Sequence, residues 1–130
     1  MLWRPKRLCG MNGTDRFFLD TNAIVSLLRG EESVRLIIAH PQWIGISIIS
    51  HLEFLSFPNL NECDRELFKK FSQQVDVIGL DIENRLLMQT IVDMRRQYRL
   101  KLPDAIIAAT AVCQNATLVT ADRDFQSLPD

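Results

Sequence analysis

A chain of 130 residues with a formal net charge of −1 is one domain's worth of sequence around a single core, and its 47% hydrophobic, 24% charged composition excludes a disordered or fibrous protein. The near-neutral balance also excludes a global basic field, so a polyanion partner has to be held by a local basic patch or by a metal. No apolar run approaches the ~20 residues that span a bilayer, and three cysteines (Cys9, Cys63 and Cys113) without metal-ligand spacing point to reduced thiols and a cytoplasmic protein.

Residues 1–15 (MLWRPKRLCGMNGTD) are basic, glycine-containing and aperiodic, and read as a flexible tail ahead of a single domain over residues 16–130. Arg16 to Leu19 then forms a strand whose unbroken apolar run, Phe17, Phe18 and Leu19, predicts cover on both faces. The strand ends on Asp20, at the carboxyl end where open α/β sheets place their ligand sites. A helix follows at once, with Ile24, Val25, Leu27 and Leu28 on its apolar face; Thr21 and Asn22 are both good N-cap residues and Gly30 a C-cap.

Residues 31–40 predict a second helix with Val34, Ile37 and Ile38 inward, stopped by Pro41. Trp43 to Ser47 is the second strand, and Ile48 to Leu55 a helix capped by Ser47, with Ile48, Leu52 and Leu55 on one face and Glu53 just off it. Residues 61–74 predict a polar amphipathic helix burying Leu67, Phe68 and Phe71, and residues 75–80 a third strand. Asp81 is expected to cap a long helix to Tyr98, with Ile82, Leu86, Ile91, Met94 and Tyr98 inward. Arg95, Arg96, Arg99 and Lys101 at its end either complement the helix C-terminus or form a phosphate-contacting patch. Pro103 fits a first helical turn, Asp104 falls in that turn, and the small residues Ala105, Ala108, Ala109 and Ala111 permit close packing on a sheet. Asn115 is the expected C-cap, residues 116–120 a last short buried strand, and Asp122 and Asp124 follow it.

This order predicts an α/β three-layer sandwich: a mainly parallel sheet of about four strands with helices on both faces. Taken singly, each acid reads as a cap, a turn or a surface residue. Taken together, Asp20 and Asp122 leave strand ends on one rim, and Glu53 and Asp104 belong to helices that face it. Four acids converging there cannot all stay ionised without a counter-charge. Hard divalent cations that prefer oxygen ligands resolve that conflict, and such clusters suit metal-assisted phosphodiester hydrolysis. His40 and His51 are the only histidines and build no persuasive Ser–His–Asp or Cys–His arrangement.

Four segments, FFLDTNAIVSLL, ISIISHLEFL, LPDAIIAATA and LVTADRDF, resemble in order and spacing the four motifs of the PIN domain, and within it the VapC-type toxin ribonucleases of type II toxin–antitoxin systems. The resemblance covers Phe17 to Phe125. It implies a catalytic and metal-holding set of Asp20, Glu53, Asp104 and Asp122, with Asp124 as an additional metal-holding acid and Asn22 and Thr120 as polar helpers. It implies Mg²⁺ or Mn²⁺ as cofactor, cleavage of single-stranded RNA, a homodimer, and a cognate antitoxin. Arg95, Arg96, Arg99 and Lys101 are the candidate RNA-binding residues. The family usually has one more strand after the last motif, so either the sequence is trimmed at its C-terminal end or the sheet is one strand short. Two alternatives are a haloacid-dehalogenase-like phosphatase, which wants an acid where Asn22 stands, and a non-catalytic PIN-like scaffold, which tends to lose the acids.

Overall fold

The structure, a computed structural model, describes residues 4–6 and 15–129. In chain order the elements are β1 (Arg4–Lys6), β2 (Arg16–Leu19), α1 (Thr21–Leu28), α2 (Glu32–Ile37), β3 (Trp43–Ser47), α3 (Ile48–Leu55), α4 (Glu62–Gln74), β4 (Asp76–Ile78), α5 (Arg85–Tyr98), α6 (Leu102–Cys113) and β5 (Thr117–Thr120), followed by a 3₁₀ turn at Arg123–Phe125. The five strands form one sheet in the order β1-β5-β2-β3-β4. Four of them are parallel, and β1 runs antiparallel to β5 with Arg4 opposite Thr120 and Lys6 opposite Leu118. This is the expected α/β sandwich with its mainly parallel sheet.

The apolar run of β2 is divided between two cores. Phe18 points to the layer of α5 and α6, where it meets Leu118, Leu87, Ile91 and the alanines of α6. Phe17 and Leu19 point the other way, to Ala23, Ile24, Val34, Ile46 and Phe68 beneath α1, α2 and α4. A strand with side chains buried alternately on both sides has to be apolar at every position. Helix α3 touches both layers: Phe54 joins one core and Ile49 packs against the other. It therefore spans the sheet's carboxyl rim. At the opposite rim Trp43 stacks on Phe18 (centroids 6.4 Å apart), lies under the Arg16 guanidinium at 4.4 Å and donates to Asp76 at 2.6 Å. A side chain at Gly45 would collide with that indole ring.

Several expectations give way to packing. The stretch read as a tail supplies β1 at Arg4–Lys6, which takes the outer edge of β5; its residues 1–3 and 7–14 lie outside the described residues. Pro5, without an N–H, is tolerated on such an edge. Helix α5 begins at Arg85 with Asn84 as its cap, not at Asp81, whose carboxylate instead accepts from Glu83 N–H at 2.9 Å in a turn. The inward residues are then Leu87, Ile91 and Met94, while Ile82 and Leu86 are 77% and 71% exposed. Helix α3 buries Ser50 and Phe54 and leaves Leu52 and Leu55 outside, and α4 leaves Leu67 exposed. Ser47 caps α3 as expected, accepting from Ile49 N–H at 3.0 Å, and Asn115 takes the left-handed conformation of a helix end, φ +52°.

Candidate metal centre

Asp20 leaves the end of the central strand and is 3% exposed. It, and neither Thr21 nor Asn22, is the N-cap of α1: its Oδ1 accepts from Ala23 N–H at 2.8 Å, as a β-region Asp does at a helix start. Its Oδ2 accepts a hydrogen bond from the Thr120 hydroxyl, across the neighbouring strand. The same Thr120 oxygen accepts from Asp122 N–H at 3.0 Å, so one hydroxyl joins the first acid to the fourth. Asp122 in turn caps the 3₁₀ turn, accepting from Asp124 N–H at 2.9 Å.

Asp104 sits in the first turn of α6, behind Pro103. Its carboxylate, that of Asp122 and that of Asp124 each offer an oxygen, and the three oxygens lie within 4.8 Å of one another. Glu53, in the second turn of α3, accepts from the Thr21 hydroxyl at 2.7 Å and adds its charge to the field at Asp104. The four sequence-predicted acids and Asp124 are therefore electrostatically linked, although only Asp104, Asp122 and Asp124 form the tight group.

Burial pushes the Asp20 carboxyl up to about 6, against the pull of the Thr120 hydroxyl and Ala23 N–H toward the ionised form, with repulsion from Asp122 and Asp104 adding to the rise. Asp104 is also raised to about 6, first by burial, then by the charges of Asp124 and Asp122, a hydrogen bond with Asp124, and the charge of Glu53. Two carboxyls so raised mark a place where negative charge outruns its compensation. Among the described residues, the cation in contact with the group is Lys101, 3.9 Å from Asp124, and both side chains are well exposed, so the pair offsets little. An all-carboxylate donor set of this kind fits a hard divalent cation such as Mg²⁺ or Mn²⁺.

The remaining predicted residues divide. Thr120 lies at the centre of the cluster. Asn22 is exposed and turned to a groove of about 480 Å³ between α1, α3 and the start of α4, lined by Val25, Leu28, Phe54, Phe57 and Leu67. Arg95, Arg96 and Arg99 are exposed at the end of α5, where Arg99 adopts the left-handed conformation, φ +55°. Ser127 donates to the Tyr98 carbonyl at 3.3 Å, tying that basic end to the segment just after Asp124. His51 packs on Phe68 at 5.1 Å, facing α4. The sequence reading missed the role of Thr21. No local signal marks it: Thr21 reads as an alternative cap, and its partner lies 32 residues on, in another helix.

The PIN domain family profile matches residues 17–130. Among solved structures, a toxin–antitoxin complex from Klebsiella pneumoniae is similar at 27% identity and a TM-score of 0.71, covering 86% of this chain and 92% of that one. VapBC2 from Rickettsia felis, bound to a DNA fragment from their promoter, shares the fold at 22% identity and a TM-score of 0.69, covering 87% and 92%. No curated protein sequence matches the chain. The strand order, the acid rim and the profile match agree, and the haloacid-dehalogenase-like alternative falls away: the chain belongs to the PIN domain family.

Proposed function

We propose that the chain is a metal-dependent endoribonuclease acting on single-stranded RNA, and the toxin of a type II toxin–antitoxin pair. The observation that carries this reading is the group of Asp104, Asp122 and Asp124 on the rim where Asp20 ends the central strand, with Asp20 and Asp104 both raised to about 6. Asp20, Glu53, Asp104 and Asp122 would hold one or two Mg²⁺ or Mn²⁺ ions directly or through water, with Asp124 in support. A bound ion supplies charge to polarise the scissile phosphate and lowers the pKa of a bound water. The Thr120 hydroxyl, donating to Oδ2, fixes the orientation of the Asp20 carboxylate. Arg95, Arg96, Arg99 and Lys101 would run the RNA backbone toward the acids. The groove lined by Val25, Leu28, Phe54, Phe57 and Leu67 suits an apolar antitoxin segment, the partner that the Klebsiella complex carries in kind. The exposed apolar patch of Leu80, Ile82, Val92 and Leu102, which line one groove beside α5, suits a second copy in a homodimer.

Cleavage of single-stranded RNA is expected with Mg²⁺ or Mn²⁺ and absent with EDTA. Asp20→Asn and Asp104→Asn should each abolish it. Retention of full activity by both, in preparations free of contaminating nuclease, would remove the assignment of these acids as the catalytic centre.

The raised carboxyls set a pH dependence. Because Asp20 and Asp104 hold protons more tightly folded than unfolded, their stabilising contribution is complete below the ordinary value of 3.8 and lost as pH rises through about 6. For buried Asp20 the loss at neutral pH is on the order of 3 kcal/mol. In EDTA the melting temperature should therefore climb between about pH 7 and about pH 5, and Asp20→Asn should climb less and start no lower. Added Mn²⁺ should stabilise wild type by about 2.7 kcal/mol at a hundredfold excess over Kd and the variant far less. Equal metal shifts in the two proteins would refute a shared metal site.

If the basic residues at the end of α5 contact phosphates, each one removed should lower the salt slope of RNA binding by roughly 0.7. An unchanged slope in the Arg95/Arg96/Arg99 triple alanine variant would return them to helix capping. The two apolar surfaces are separable by light scattering and antitoxin capture. Leu67→Glu should lose the antitoxin and keep the dimer mass, whereas Val92→Glu should run as a monomer and keep the antitoxin; the reverse outcome would exchange the assignments.

A further inference from the structure

The carboxylates of Asp20 and Asp122 are each held by a backbone N–H, whereas that of Glu53 is held only by another side chain. Glu53 projects from the exposed side of α3, and three side-chain torsions separate its carboxylate from the helix. Left alone among other acids, such a side chain swings into solvent, because each nearby negative charge drives it outward and rotamer entropy favours its release. In the structure its Oε1 instead accepts a 2.7 Å hydrogen bond from Thr21, 32 residues earlier on another helix.

Thr21 is well suited to hold it. The capping of α1 is done by Asp20, so the hydroxyl of Thr21 is free to reach out of the helix. Its β-branched side chain has few χ1 states, which makes the hydroxyl a stiff support. A hydroxyl donating to an ionised carboxylate is also among the stronger hydrogen bonds. The geometry has a counterpart on the other side of Asp20, where the Thr120 hydroxyl donates to Asp20 and accepts from Asp122 N–H. Asp20 thus stands between two threonine hydroxyls: Thr120 ties it to Asp122, and its covalent neighbour Thr21 ties it to Glu53.

Building on the metal-centre reading above, we infer that Thr21 is a positioning residue whose hydroxyl fixes the Glu53 carboxylate at the acid rim, and that the cation site is incomplete without this bond. Thr21 contacts neither metal nor RNA in this role; it acts through Glu53. Loss of a hydrogen-bond partner that orients a ligand lowers metal affinity by about 10–100-fold.

The test is Mn²⁺ binding by calorimetry on the full chain, without substrate. Thr21→Val, which keeps the shape and removes the hydroxyl, should weaken binding by about tenfold, and Thr21→Ser should restore it. Glu53→Gln should weaken binding comparably, and Thr21→Val added to Glu53→Gln should cost nothing more, because Thr21 acts only through the carboxylate that Glu53→Gln removes. Thr21→Ala repeats the comparison without a branched side chain at the helix start, and melting in EDTA identifies any variant that fails to fold. Unchanged Mn²⁺ affinity in Thr21→Val and Thr21→Ala, with binding lost in Asp20→Asn, would overturn the role of Thr21 alone. So would a full additional loss on the Glu53→Gln background. Equal Mn²⁺ binding by wild type and Asp20→Asn would overturn the metal-centre reading, and this inference with it.

Discussion

The constraint on which the site depends is the burial of Asp20. A carboxylate at the end of a central strand, 3% exposed, loses its hydration and must be given replacements by the fold. It receives a backbone N–H from Ala23, because α1 starts immediately after the strand, and a hydroxyl from Thr120, because β5 pairs in register beside β2 with Leu19 opposite Val119. Those two bonds fix both oxygens. They also commit the neighbouring elements, since the helix start and the strand register cannot shift without stranding a buried charge. The carboxyl stays raised to about 6 despite them, which measures how far burial outweighs the local donors.

Around that point the acids are delivered by different local devices. Asp122 is held as the cap of a 3₁₀ turn, Asp104 by the first turn of a proline-initiated helix, and Glu53 by a single side-chain bond. The number of hydrogen bonds from the fold therefore falls from two at Asp20 to one at Glu53. Helix α6 makes the arrangement compact: its run of buried alanines, Ala105, Ala108, Ala109 and Ala111, lets the helix lie close on the sheet with Asp104 at its leading end.

What was legible in the sequence follows the same physics. The FFLD run, the Pro103–Asp104 pair and the strand before Asp122 each carry a local signature, either continuous burial or helix-start chemistry, so the strands, the helices and the acid rim could be read directly. The phase of short helices could not. Helix α3 has eight residues with apolar side chains nearly all round, and period alone does not distinguish the Ser50–Phe54 face from the Leu52–Leu55 face. At α5, Asp81 and Asn84 are both cap-forming residues; tertiary burial of Leu87 selected the second. Strand β1 has no apolar pattern of its own, and what makes it a strand is the open edge of β5, a partner more than a hundred residues distant. The Thr21–Glu53 bond was illegible for a related reason, since both partners look ordinary until their helices are adjacent.

That separation along the chain sets an order of events during synthesis. Asp20 is made early, but Thr120, its hydroxyl donor, comes a hundred residues later. The central strand β2 gains β3 as a partner first and must wait for β5 on its other side. Closing so long a loop is entropically costly and is among the last steps such a topology can take. A nascent chain still short of β5 has the buried acid without its partner, and neither Asp122 nor Asp124 to stand beside Asp104. The acid rim is therefore complete only when the last strand is paired beside β2, which brings Thr120, Asp122 and Asp124 to Asp20 and Asp104.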